Sequence, residues 1–195
     1  MKEKQKKLWI GKALYALQRY SLASDSTHQK VSAAKVSIVL WLWENKDEIP
    51  SSIAKVLEKV KESGTKKVSR SPLLYTFKGL RENEALIKGD DSYTLDYDIA
   101  PEDSKMFLWT AKALLAIVEY GKDKGGAYQI GGAKINFIYW LWENKNKLPH
   151  NTRKMAYDAG ITSDEDETST TVTTTIEALI EHGAMKKDEK KYKII

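Results

Sequence analysis

Apolar and polar positions follow three rhythms along this chain. Around Leu8 to Tyr20, and again around Phe107 to Tyr120, apolar residues recur at helical spacing and predict amphipathic helices. A polar or glycine-rich stretch follows each, Ser21 to Ser32 and Gly121 to Gly132, read as a connecting loop. Val36 to Trp43 and Ile135 to Trp142 are then almost continuously apolar. They predict helices that end at Asn45 and Asn144 and are buried on more than one face. Pro50-Ser51-Ser52 opens a shorter helix over 53–61, stopped by Ser63-Gly64. Ser71 followed by Pro72 reads as an N-cap, after which Leu73, Phe77 and Leu80 form a helical stripe. Ala85-Leu86-Ile87 and Tyr93-Thr94-Leu95 flank a Gly/Asp turn and predict a hairpin. Val172, Ile176 and Leu179 repeat the stripe, and Ala184-Met185 with Tyr192-Lys193-Ile194 repeat the hairpin.

The second half restates the first. Ala34 to Lys46 reappears as Ala133 to Lys145, shifted by 99 positions, and the same shift aligns Pro50 with Pro149 and Tyr93 with Tyr192. Upstream the shift is 100, matching Trp9, Lys12 and Tyr20 to Trp109, Lys112 and Tyr120. A period of this length is a whole small domain rather than a solenoid unit. The reading is an internal duplication, with domains over 1–98 and 99–195 joined near Asp98 to Ser104.

Three helices and a two-stranded hairpin, with a short turn before the last helix, resemble winged helix-turn-helix DNA-binding domains. The match runs from about Ala33 to Tyr97 and from Gly132 to Ile195. The added N-terminal helix and tandem arrangement resemble plasmid replication initiators and archaeal winged-helix initiators. The resemblance implies a mainly α fold with small β-hairpin wings, two tandem winged-helix domains, and sequence-selective binding of double-stranded DNA. It implies a role in replication-origin or plasmid-type initiation, with transcriptional regulation as the alternative.

In such domains the second helix of the pair enters the major groove. With Leu73, Phe77 and Leu80 inward, Ser71, Tyr75, Lys78 and Glu82 point outward. Arg70, Arg81 and the loop lysines Lys66 and Lys67 add positive charge, and Lys88 lies on the hairpin. Lysine and arginine pair with phosphate or guanine, and hydroxyls contact either. In the second copy the outward positions are Thr170, Thr174, Glu177 and Glu181, preceded by Asp164-Glu165-Asp166-Glu167. Its hairpin is basic instead, with Lys186, Lys187, Lys190, Lys191 and Lys193. The division expected is helix on DNA in the first copy and wing on DNA in the second. The acidic face of the second copy leaves a protein-docking module as a further alternative. Lysines on a hairpin also blunt a sheet edge, and an acidic loop is also an ordinary solvated loop.

Charge sharpens this asymmetry. The net charge is +5. Residues 1–98 hold 18 Lys/Arg and 13 Asp/Glu, and residues 99–195 hold 14 of each. A polyanion partner would be met mainly through the first copy. There are no cysteines, which excludes disulfides and thiolate metal sites and favours a reducing, cytoplasmic setting. No apolar run is long enough to span a bilayer, so no membrane association is expected.

His28, His150 and His182 share no ligand spacing, and no catalytic set can be assembled, so no enzyme activity, metal or cofactor is expected. Gly121-Lys122-Asp123-Lys124-Gly125-Gly126 lacks the Gly-Lys-Ser/Thr ending of a nucleotide loop and reads as a connector. The six tryptophans recur at equivalent places and are assigned to core packing. A monomer with pseudo-dimeric repeats, or a weak homodimer, is the expected state.

Overall fold

The computed structural model describes residues 2–23, 31–63, 68–124, 130–189 and 191–195. The chain is mainly helical with small antiparallel sheets, and it divides into two compact units, Met1–Leu108 and Trp109–Ile195. The first unit thus keeps residues 99–108, which the sequence repeat assigns to the second copy. No helix among the described residues is long and apolar enough to cross a membrane.

In the first unit the order is α1 (Lys2–Leu22), α2 (Ala33–Glu44), β1 (Ile49–Pro50), α3 (Ile53–Glu62), α4 (Arg70–Glu82), β2 (Leu86–Lys88) and β3 (Ser92–Leu95). α1 starts earlier than its apolar stripe. The lysine-rich lead-in is helical, aided by an i,i+4 pair between Glu3 and Lys7 at 3.5 Å. α2 buries Val36, Ile38, Val39, Trp41 and Leu42, as an apolar helix with little amphipathicity should. It also buries Lys35, whose ammonium is pushed down to about 8 by desolvation. Ser32 caps its start and Asn45 its end, where the Asn45 amide and main-chain N–H both donate to the Trp41 carbonyl.

α4 begins at Arg70 with Ser69 as N-cap residue, so the expected cap at Ser71 is corrected by two positions. The first four N–H groups of a helix need no intrahelical acceptor, so Pro72 fits its third position as well as its first. Leu73, Phe77 and Leu80 are fully or almost fully buried, each contributing about 1.5–3 kcal/mol. Phe77 meets Tyr93 of β3 edge-on at 4.9 Å, which ties α4 to the hairpin. Gly79 lets α4 approach α1, because a Cβ there would lie 2.9 Å from the Tyr20 ring.

The strand β1 is a feature the hydropathy pattern did not announce. Ile49 pairs with Tyr93 and Pro50 with Ser92, giving an antiparallel sheet in the order β1-β3-β2. Two residues are too few to show a period of two, and Pro50 reads locally as a helix start.

The second unit contains most of α5 (Ser104–Asp123), then α6 (Gly132–Glu143), α7 (Thr152–Asp158), α8 (Thr170–Glu181), β4 (Met185–Asp188) and β5 (Lys191–Ile194). The loop expected from Gly121 starts later, since α5 continues through Asp123. One hydrogen bond recurs in both units. Trp9 Nε1 donates to the Ala85 carbonyl at 2.9 Å, and Trp109 Nε1 to the Ala184 carbonyl at 3.1 Å. Each fastens the first long helix of its unit to the start of the hairpin. Trp41 is also buried, whereas Trp43, Trp140 and Trp142 are half-buried. Trp43 contacts Trp9 at 6.2 Å, and Trp142 contacts Trp109 at 5.8 Å.

Candidate nucleic-acid interface

α4 follows α3 after a short connection and leads directly into the β2–β3 hairpin. Its buried stripe fixes what remains for solvent: Arg70, Ser71, Lys78, Arg81 and Glu82 are exposed, and Tyr75 is half-buried. Lys78 reaches Glu82 one turn later at 3.8 Å, with both side chains about half exposed, and its ammonium lies 6.0 Å from the Tyr20 ring centroid. Such a pair is worth less than ~1 kcal/mol, so a phosphate could displace it. Lys78, Arg81 and Lys88 border one cavity of about 630 Å³ between α4 and the hairpin, together with the exposed apolar side chains Leu74 and Ile87. Lys66 and Lys67 lie outside the described residues.

α8 presents a different face. Thr170 is exposed, Thr174 is half-buried, and Glu177 and Glu181 are exposed. The Thr174 hydroxyl donates to the carbonyl of Thr170 at 2.8 Å, so its proton turns back onto its own helix. Glu177, at the position of Lys78, accepts a hydrogen bond from the Tyr120 hydroxyl at 3.1 Å. The first unit sets a lysine against a tyrosine ring here, and the second sets a carboxylate against a tyrosine hydroxyl. Asp164, Glu165, Asp166 and Glu167 are all exposed. Glu165 pairs with Lys154 at 3.1 Å, and that hydrogen bond, with the nearby Asp158 charge, raises the Lys154 ammonium above its ordinary range.

On the second hairpin Lys186, Lys187, Lys191 and Lys193 are exposed, and Lys190 lies outside the described residues. Not all of this charge is free. Lys186 and Lys193 both reach Asp188 at 3.1 Å and hold its carboxyl below the usual range. Lys187 sits 5.2 Å from the Tyr192 ring centroid. Beside β5, Lys145, Lys147, His150, Lys191 and Lys193 line a groove of about 720 Å³. Lys145 and Lys147 precede the hairpin by about forty residues, and the sequence repeat gives no signal that they join it.

One grouping crosses the sequence further still. Asp123, Glu181 and His182 converge at the ends of α5 and α8, with ligand atoms all within 4.8 Å of one another. No family model, curated protein or solved structure matches this chain.

Proposed function

We propose that this chain binds double-stranded DNA sequence-selectively through two winged-helix units produced by an internal duplication, in replication-origin or plasmid-type initiation. One observation carries the reading. α4 leaves its basic and hydroxyl side chains outward beside a hairpin, while its opposite face is locked into the core. From α2 onward the first unit runs helix, strand, helix, helix, hairpin, with β1 at the sheet edge, an order that supports a winged-helix reading. In that geometry α4 is the helix that enters the major groove. Arg70, Ser71, Lys78 and Arg81 supply phosphate and base-edge contacts, and Lys88 a contact from the wing.

In the second unit the charge pattern shifts the DNA contact from α8 to the hairpin and its lysine-lined groove. Lys186, Lys187, Lys191 and Lys193 with Lys145 and Lys147 contribute sequence-independent affinity. Transcriptional regulation uses the same chemistry at a different site. A second reading, in which the second unit docks a basic protein, is favoured by Glu177, Glu181 and the exposed 164–167 loop. No catalytic role, resident cofactor or membrane partner is part of the proposal.

Footprinting of purified protein on DNA from its own genome or replicon tests the proposal. Discrete protected sites are expected, lost when Lys78 and Arg81 are both changed to Ala. Protection without any preferred site would overturn sequence-selective binding, and protected sites near promoters alone would favour the regulatory role.

A further inference from the structure

The end of α8 carries a side-chain cluster with no counterpart among the described residues of the first unit. Asp123 is the last residue of α5, Glu181 the last residue of α8, and His182 the C-cap residue of α8. The His182 ring meets Tyr120 edge-on, with centroids 6.3 Å apart and an interplanar angle of 88°, and this contact orients the imidazole. Its Nε2 atom is buried and has no hydrogen-bond partner, and the nearest Asp123 carboxylate oxygen is 3.5 Å away. That separation exceeds a good hydrogen bond. The arrangement places an orphaned nitrogen against two carboxylates.

The electrostatics favour a cation between them. Both carboxylates stand at the C-terminal, negative ends of helices, where further negative charge is unfavourable and a cation is stabilised. Of the nearby lysines, Lys122 pairs with Glu119 at 2.7 Å, and Lys124, just past the end of α5, lies 5.3 Å from the Tyr120 ring centroid. In the first unit the position of His182 is Asn83, whose amide is satisfied by donating to the Gly79 carbonyl at 3.0 Å. The position of Asp123 there is Ala23.

We propose that Asp123, Glu181 and His182 form a binding site for a first-row transition-metal dication of the zinc type. One imidazole nitrogen and two carboxylate oxygens match the nitrogen and oxygen donors that Zn²⁺ accepts at about 2.0–2.2 Å. The Asp123 side chain is 58% exposed and Glu181 is exposed, so both can rotate the short distance needed to close on the ion. Three protein donors leave a fourth position for water. The ion clamps the last turn of α8 to the last turn of α5, where the first unit uses an asparagine cap. This inference does not rest on the DNA reading.

Tag-free full-length protein, stripped with a chelator, is titrated with Zn²⁺ by calorimetry and with Co²⁺ by visible absorption. One saturable equivalent is expected, with visible bands from the bound Co²⁺. Affinity should fall on acidification, because protons compete for the imidazole nitrogen. His182→Asn and Asp123→Ala should each weaken binding by about tenfold or more, while His150→Ala leaves it unchanged. Circular dichroism confirms that the variants fold; if His182→Asn does not, the exposed Asp123→Ala decides alone. The proposal is overturned by the absence of saturable binding. It is equally overturned by unaltered affinity in the folded variants.

Discussion

Glu177→Lys reverses one charge on α8 and restores the residue that the first unit carries at Lys78. The side chain is exposed, so the substitution makes no cavity. It removes the hydrogen bond that Glu177 accepts from the Tyr120 hydroxyl at 3.1 Å, a cost to stability of about 1 kcal/mol. The lysine that replaces it can lie over the Tyr120 ring, as Lys78 lies 6.0 Å from the Tyr20 ring centroid. For DNA the gain is comparable and of opposite sign. A phosphate about 8 Å away interacts with a unit charge by ~0.5 kcal/mol in water, so reversing the charge yields ~1 kcal/mol. That is about fivefold tighter binding, reduced to about twofold by screening near 0.1 M salt. Fluorescence anisotropy with a labelled duplex at one fixed low salt concentration measures it. Unchanged affinity in the folded variant would show that α8 lies farther from DNA than its position beside the basic hairpin implies, and would leave its acidic face to a protein partner.

Other perturbations test separate links. Lys78→Ala should cost about 1–3 kcal/mol at the preferred site and less on random sequence if it reaches a base edge; equal losses on both make it a phosphate contact. Changing Lys186 and Lys187 to Ala should make the salt slope shallower by up to about 0.9 for each phosphate no longer neutralised, as read from affinities across a salt series. Trp9→Phe removes the shorter of two hydrogen bonds that the buried Ala85 carbonyl accepts, leaving the Asp96 N–H at 3.3 Å, and should destabilise the protein by about 1 kcal/mol in urea unfolding. The depressed Lys35 ammonium makes stability depend on pH: the unfolded chain binds the proton more tightly between about 8 and 10.4, so stability rises with pH across that window, and Lys35→Met should reduce the rise, leaving the smaller contribution of Lys134, which burial also lowers.

What the sequence made visible is what periodicity and short-range chemistry encode. The apolar runs through Trp41 and Trp140, the Asn45 and Asn144 helix ends, the Leu73-Phe77-Leu80 stripe and the strand pairs of both hairpins all rest on neighbours within a turn or two. The N-cap of α4 was displaced because Pro72 suits several first-turn positions, and Ser69 and Ser71 are equal local candidates. β1 stayed hidden because its pairing with Tyr93 is long-range and only two residues long. The same limit applies to the candidate sites. Outward positions on α4 could be read from the wheel, whereas Lys145 and Lys147 beside β5, Glu177 against Tyr120, and Asp123 with His182 exist only through tertiary packing. Free charge was also overestimated on the second hairpin, since Asp188 engages Lys186 and Lys193.

The proposed interface sets exposed basic side chains of α4 and of the second hairpin against duplex DNA. The most direct measurement is the affinity of the full-length protein for duplex DNA across a salt series, repeated with Arg70, Lys78 and Arg81 changed together to Ala. The account predicts that log affinity falls linearly with log salt, with a slope of about −0.9 for each phosphate neutralised. The triple variant should bind more weakly and with a shallower slope. An affinity that does not change with salt, or a folded triple variant that binds as tightly as the unaltered protein, would contradict it.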